Sequence, residues 1–391
     1  MPTRVVAQTN DLRFVHMALF AGFIITGMVA TLLGPVLPVF IARWNLTDSQ
    51  AGLFFSTQFS GSMLGVVLSS VILSLRGYRD SLVLGFLLMA AGVAGLNSAS
   101  LHVALLATAI YGFGFGVAIP ATNLCIAEIS GARRVASLTL LNMAWGVGAI
   151  ACPVLMLTGL RSNRFTTALL GIAIGAILLA ILFSTIKFES RAASVASADE
   201  ATDAAERRHP IHVPVALGLL FYLYVGTEGG ISGWAAEQAH RLGSGEAYTI
   251  VPMFFWAGLL GGRGIAALVV SRVKENLFVS YGLLFSAIGA TCLLRASTRP
   301  GVILGVVIAG LGLAGVYPVF ISWLSKWYGE RARRLGGLMF SMAALGGATM
   351  PWTVGFVSQR SHSLRVGLLV PLTGCIAMLT LVTALRRRIL A

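Results

Sequence analysis

The chain has 391 residues, 57% of them hydrophobic and only 11% charged, with a mean hydropathy of +0.86. A soluble domain of this length needs a much larger charged surface, so the composition excludes one and points to membrane spans. The net charge of +14 raises the idea of nucleic-acid binding, but the placement of the charges argues against it.

A span needs about 20 apolar residues. Twelve stretches qualify, near 14–41, 50–75, 80–99, 102–129, 134–159, 165–186, 212–239, 248–271, 276–295, 300–325, 335–358 and 364–385. The first is too long for the apolar core of a signal peptide and lacks a small-residue cleavage site, so it reads as a retained span. With the N-terminus cytoplasmic, Arg76 and Arg79, Arg133 and Arg134, Arg207 and Arg208, Arg331, Arg333 and Arg334, and Arg386 to Arg388 all share one side. That is the positive-inside pattern expected of a multi-pass inner-membrane protein with both termini cytoplasmic. The basic residues then read as headgroup anchors, and no nucleic-acid partner is expected. Cys125, Cys152, Cys292 and Cys375 are scattered through apolar segments with no metal spacing.

Residues 187–211 form the only long polar tract and read as a flexible cytoplasmic linker between two units, 1–186 and 212–391, of six spans each. The two units look alike. Gly112, Gly114 and Pro120 match Gly310, Gly312 and Pro318 at an offset of 198, and Gly61 and Gly65 match Gly258 and Gly262 at 197. Asn142-Met143-Ala144 faces Ser341-Met342-Ala343 at 199. The expected fold is an all-α membrane protein with twelve transmembrane helices in two pseudo-symmetric six-helix bundles. Small residues let helix backbones approach closely inside each bundle.

This layout resembles the major facilitator superfamily. The second half is similar to its fucose/galactose/glucose permease group through YVGTEGGISGW (224–234), GGRG (261–264), Ser271-Arg272, GLAGVYPVFISW (312–323) and GGLMFSMAALGGATMPWTVGFVSQR (336–360). LPVF (37–40), PATN (120–123) and LNMAWGVGAIACP (141–153) match more loosely in the first half. The resemblance implies a monosaccharide carrier working by alternating access, secondary active or facilitative, with coupling to protons, to sodium or to neither left open. Departures stand beside it. Gly34 and Ile119 occupy positions where proton-coupled relatives can carry an acid, Trp145 and Gly148 replace amides, and Ser74 replaces an Asp in the loop after the second span.

Glu228 lies about 24 Å along its span from His212 at about 1.5 Å per residue, near the midplane, where a charge costs about 2.5–3.5 kcal/mol. It is the only acid expected deep in the bilayer. Glu128 and Glu237 fall at span ends. Three readings compete: a group that binds a sugar hydroxyl or carries the coupling proton, a structural latch to Arg263 on the next span, or a counter-ion for a cationic substrate. Gln58, Asn123, Asn142 and Trp145 in the first half, with Tyr224, Glu228, Trp256 and Tyr317 in the second, are the expected substrate-binding set. A few convergent polar groups among aromatic faces suit a sugar-like solute. Plainer readings accompany them. Asn123 could repair backbone near Pro120, Gln58 and Asn142 could join helices, Trp234 and Trp352 could anchor at the interface, and Tyr317 beside Pro318 could gate or pack. Phosphate loops, metal spacings and nucleophile–base pairs are absent from the sequence, so neither a cofactor nor an enzyme activity is expected. The carrier is expected to act as a monomer in the lipid bilayer. The alternative is an exporter of drugs or other small solutes.

Overall fold

The computed structural model describes residues 9–186, 188, 211–243, 245–269, 272–329 and 332–389. Nearly all of the 187–211 linker lies outside them. The described residues form helices and no strands: α1 (Thr9–Thr31), α2 (Leu33–Trp44), α3 (Asp48–Gly95), α4 (Leu101–Ile129), α5 (Arg134–Arg161), α6 (Phe165–Thr185), α7 (His212–Arg241), α8 (Val251–Val269), α9 (Glu275–Arg295), α10 (Arg299–Leu313), α11 (Val316–Tyr328), α12 (Ala332–Ser361), α13 (Leu364–Gly367) and α14 (Leu369–Ile389). Ten helical stretches among them are long and apolar enough to cross a membrane, one of them joining α10 with α11 and one joining α13 with α14. One of the ten, α3, has 48 residues and contributes two of the expected spans.

The chain reverses inside α3 at Gly77, whose backbone (φ 75°, ψ −176°) is open only to glycine. Contacts with α4 show the reversal. Gly61 and Gly65 lie against Ala109 and Phe113, so the first leg runs with α4, whereas Gly85 and Gly92 lie against Gly114 and Ala107, so the second runs against it. Methyl groups built on Gly61 and Gly65 would sit 2.1 and 2.3 Å from the Ala109 and Phe113 carbonyl oxygens. Only hydrogen fits there, and the close approach supplies the dispersion contacts that hold helices together where water does not.

The same contacts recur in the second half. Gly258 and Gly262 meet α10 as Gly61 and Gly65 meet α4, and Gly310 meets the Phe255 carbonyl as Gly112 meets that of Gln58. Gly282 and Gly289 on α9 repeat the roles of Gly85 and Gly92 at the same offset of 197. In the other close pairing, Gly148 of α5 meets the Ile24 carbonyl and Gly346 of α12 meets that of Tyr222. Gly148 therefore corresponds in role to Gly346, one residue from the match at offset 199.

Two of the expected spans are broken. The first divides at Leu32 into α1 and α2, where Pro35 has no N–H to offer the Thr31 carbonyl. The span expected at 300–325 divides at Ala314-Gly315 into α10 and α11, ahead of Pro318. The two halves meet along α2–α7, α3–α12 and α5–α8. In the α3–α12 seam, Asp48 packs on Gly355, Gly52 on Trp352 and Phe59 on Gly347, and Ser56 donates to the Ala348 carbonyl at 2.6 Å. Past this seam both helices lose their cover together. Leu64, Val67 and Leu68 of α3 are exposed, and so are Leu345, Phe340 and Leu338 of α12. The contacts between α3 and α12 described above lie toward the end carrying Asp48.

Candidate functional site

A cavity of about 130 Å³ lies between the halves, just beneath the seam. Its wall includes Gly34 of α2, Gln58 of α3, Trp145 of α5, Glu228 of α7 and Trp256 of α8. Four of the eight expected binding residues, Gln58, Trp145, Glu228 and Trp256, are thus brought together. Trp145 and Trp256 meet edge to face across the halves, with ring centroids 5.3 Å apart. Phe55, Phe59 and Phe115 complete an aromatic wall.

Gln58 is buried and its amide is committed. Its Nε2 donates to the Ala30 carbonyl at 3.0 Å, which the break at Leu32 leaves without its helical partner, and its Oε1 accepts from the Tyr111 hydroxyl at 3.1 Å. It therefore ties α1, α3 and α4 together while facing the cavity. Gln58→Leu leaves both partners unsatisfied, and a loss of about 1–3 kcal/mol is expected. Thermal denaturation in detergent checks this, with Ser60→Ala on the exposed face of α3 as the unaffected control.

Glu228 is half-buried and opens onto the cavity. Ser232, one turn on, donates to the Glu228 backbone carbonyl at 2.8 Å, so its hydroxyl proton is spent inside α7. Gly34 lies opposite: a methyl group there would sit 3.0 Å from the Ser232 carbonyl oxygen. A side chain at position 34 would press on the α7 backbone, and the carboxylate of the cavity comes from α7 instead. The Tyr224 hydroxyl lies beside that carboxylate and donates to the Leu313 carbonyl at 3.3 Å, at the end of α10. Tyr317 packs tilted against Tyr224, with ring centroids 5.1 Å apart, and edge to face against Phe221 at 5.3 Å. These two tyrosines stand behind Glu228, not on the cavity wall. Arg263 is electrostatically close to Glu228 but makes no ion pair with it within 4.0 Å, and its buried Nε has no hydrogen-bond partner.

Asn123 and Asn142 stand apart from this group. Each amide donates to the carbonyl one turn back in its own helix, Ile119 at 2.9 Å and Leu138 at 2.8 Å, and Asn142 is exposed. Trp234 is fully buried, donating to the Pro351 carbonyl at 2.9 Å, and Trp352 packs on Gly52 in the seam, so both join helices. Glu128 accepts from the Tyr78 hydroxyl at 2.6 Å near the Gly131 end.

A polar group that the sequence did not single out closes the Asp48 end. Asp48 of α3 accepts from Arg241 of α7 and from the Ser358 hydroxyl of α12. Arg241 also donates to Glu237 at 2.7 Å, and the Ser49 N–H donates to Gln359 at 3.3 Å. The only signal was the position of Asp48 and Arg241 at span ends. They are 193 residues apart in the chain, and no local pattern joins them.

A two-bundle helical fold that encloses a cavity between its halves is that of a secondary transporter. The chain belongs to the major facilitator superfamily, whose family model matches residues 19–294. It is similar to a Helicobacter pylori protein named "Putative glucose/galactose transporter", at 23% identity over 370 residues and 88% of each chain. The glucose/mannose transporter GlcP of Bacillus subtilis is similar at 22% identity over 374 residues, 91% of each. These relatives agree with the resemblance to the fucose/galactose/glucose permease group. Among solved structures, a bacterial homologue of the human lysosomal transporter Spinster superposes with a TM-score of 0.79 over 97% of this chain and 98% of its own, at 14% identity. The protein is a multi-pass membrane transporter and not an enzyme.

Proposed function

We propose that this transporter carries a monosaccharide by alternating access and that Glu228 carries the coupling proton. The observation that supports the reading best is the Glu228 carboxylate opening onto a cavity walled by Trp145 and Trp256. A sugar offers hydroxyls to a carboxylate and a C–H face to an indole, and one solute satisfies both walls. The names of the glucose-transporting relatives support the same solute class. A proton site needs access to water in one state, and Glu228 lines the cavity between the halves. The unpartnered Arg263 Nε nearby offers the deprotonated form a cation to turn toward as the halves move.

In this reading the transporter sits in an inner membrane with both termini cytoplasmic. The Asp48 end, where the halves are joined by Asp48, Arg241 and Ser358, then faces outward. A second reading, export of organic cations, draws on the aromatic wall around a carboxylate, an arrangement that also suits a cation. Thermal denaturation with glucose, galactose and a cationic dye separates the two. At about 100 times Kd a ligand adds about 2.7 kcal/mol of stability, so the sugars are expected to raise the melting temperature and the dye to leave it unchanged. Stabilisation by the dye alone overturns the sugar reading.

A further inference from the structure

We propose that Arg263 forms an anion subsite beside Glu228, so that the preferred solute is a monosaccharide bearing a carboxylate, a hexuronate. The inference rests on the sugar and proton reading of the cavity and names the class of sugar. Away from the span ends and the α3 reversal, the described residues carry two charges within the spans, Glu228 and Arg263. A cation at such depth is costly and is kept where it faces a pathway or a partner. The described residues offer Arg263 no ion pair within 4.0 Å, and its buried Nε has no hydrogen-bond partner.

The register of α8 places Arg263 between the halves. Trp256, Leu260 and Arg263 stand at i, i+4 and i+7, which is one face of a helix. Trp256 lines the cavity and meets Trp145 of the first half. Leu260 lies against α5, where a methyl group on Gly146 would sit 2.9 Å from it. Gly258 and Gly262 turn to α10 instead. The face that carries Arg263 therefore looks across at the first half, and Arg263 continues it about 10 Å beyond Trp256, at about 1.5 Å per residue. Its charge reaches Glu228 and the two tyrosines behind it. Tyr224 from α7, Arg263 from α8 and Tyr317 from α11 are the titratable or charged groups that act with Glu228.

Charge balance selects the solute. Arginine keeps its charge at any physiological pH. An ionised Glu228 offsets that charge, and the two together have none to offer. A protonated Glu228 leaves one positive charge in an apolar site. A neutral sugar leaves it unanswered, whereas the carboxylate of a hexuronate answers it through two parallel hydrogen bonds to the planar guanidinium. The sugar ring remains free to lie on Trp145 and Trp256. One proton and one uronate thus enter together with no net change of charge, and each tightens the binding of the other. The same positive charge opposes the organic cations of the second reading.

Isothermal titration of the purified transporter with glucose, galactose, glucuronate and galacturonate between pH 5.5 and 8 tests this. Free carboxyls titrate near about pH 4, so the uronates stay ionised throughout and any pH effect on their preference belongs to the protein. At pH 5.5 the wild type is expected to bind the uronates about ten-fold or more tightly than the neutral sugars, within the usual range of coupling between sites. That advantage is expected to fade as the pH rises to 8. Arg263→Gln is expected to bring the uronate-to-neutral affinity ratio to about one or below, and Arg263→Lys to restore part of it. Glu228→Gln fixes the uncharged form and is expected to hold the low-pH ratio at every pH, which keeps the subsite testable should Arg263→Gln not fold. Glucose binding without uronate preference at any pH overturns the subsite and leaves the sugar reading standing, and so does a preference that survives in Arg263→Gln. Failure of all four sugars to bind overturns the sugar reading and the subsite with it.

Discussion

Glu228→Gln is expected to abolish accumulation driven by a proton gradient while leaving solute exchange within about ten-fold of the wild type. The amide keeps a hydrogen-bonding group on the cavity wall and keeps its volume, so solute binding survives. What it lacks is a proton to take up and release, and a carrier without one equilibrates its solute but does not concentrate it. The substitution also removes a charge that costs about 2.5–3.5 kcal/mol at the bilayer centre on insertion scales. The variant is therefore expected to be no less stable than the wild type, which separates lost coupling from lost fold. Uptake by proteoliposomes, with and without an imposed proton gradient, measures it. Gradient-driven accumulation that persists in the variant removes Glu228 from the coupling role.

Gly148→Val is expected to prevent assembly of the first half. A Cβ built at position 148 lies 1.9 Å from the Ile24 carbonyl oxygen and 3.0 Å from the Met28 nitrogen. Both are backbone atoms, so no rotamer change relieves the clash, and α1 and α5 must move apart. Overpacking of a core costs about 1–3 kcal/mol even where side chains give way. Against a rigid helix backbone the upper part of that range or beyond is expected, out of a total stability of about 5–15 kcal/mol. Gly346→Val repeats the clash against the Tyr222 carbonyl, also at 1.9 Å, and is expected to fail in the same way. Gly171→Ala is the control, since nothing lies within 4 Å of its added methyl group. Yield of monodisperse protein and its melting temperature distinguish the three. A Gly148→Val protein that melts like the wild type contradicts the close α1–α5 approach.

The helical fold was legible because the bilayer imposes span lengths and glycine spacing marks where helices touch. Gly61 and Gly65, and Gly258 and Gly262, were visible as matched pairs. Gly85 with Gly282 and Gly92 with Gly289 repeat as faithfully in the contacts but passed unnoticed among many glycines in apolar sequence. The break at Leu32 was not anticipated, although Pro35 stood beside it, and at Pro318, where a kink was expected, the helix divides at Ala314-Gly315. A proline marks a freed carbonyl, but whether the helix kinks or divides depends on who satisfies that region, and Gln58 and Tyr224 do so from other helices. Half of the expected binding set reached the cavity, for a related reason. Residue type identifies a polar side chain within a span but not its azimuth or its nearest acceptor. Asn123 and Asn142 found theirs in their own helices. The Asp48–Arg241 closure joins residues at two span ends, where charges are ordinary, and only the packed halves bring them together.

The most direct measurement is carbodiimide modification of the purified transporter in lipid, read residue by residue by mass spectrometry with and without saturating glucose. The reagent attacks protonated carboxyl groups in apolar surroundings. The account expects label on the peptide containing Glu228, reduced when the sugar occupies the cavity and absent in Glu228→Gln. An unlabelled Glu228, or a label indifferent to every monosaccharide tried, contradicts it.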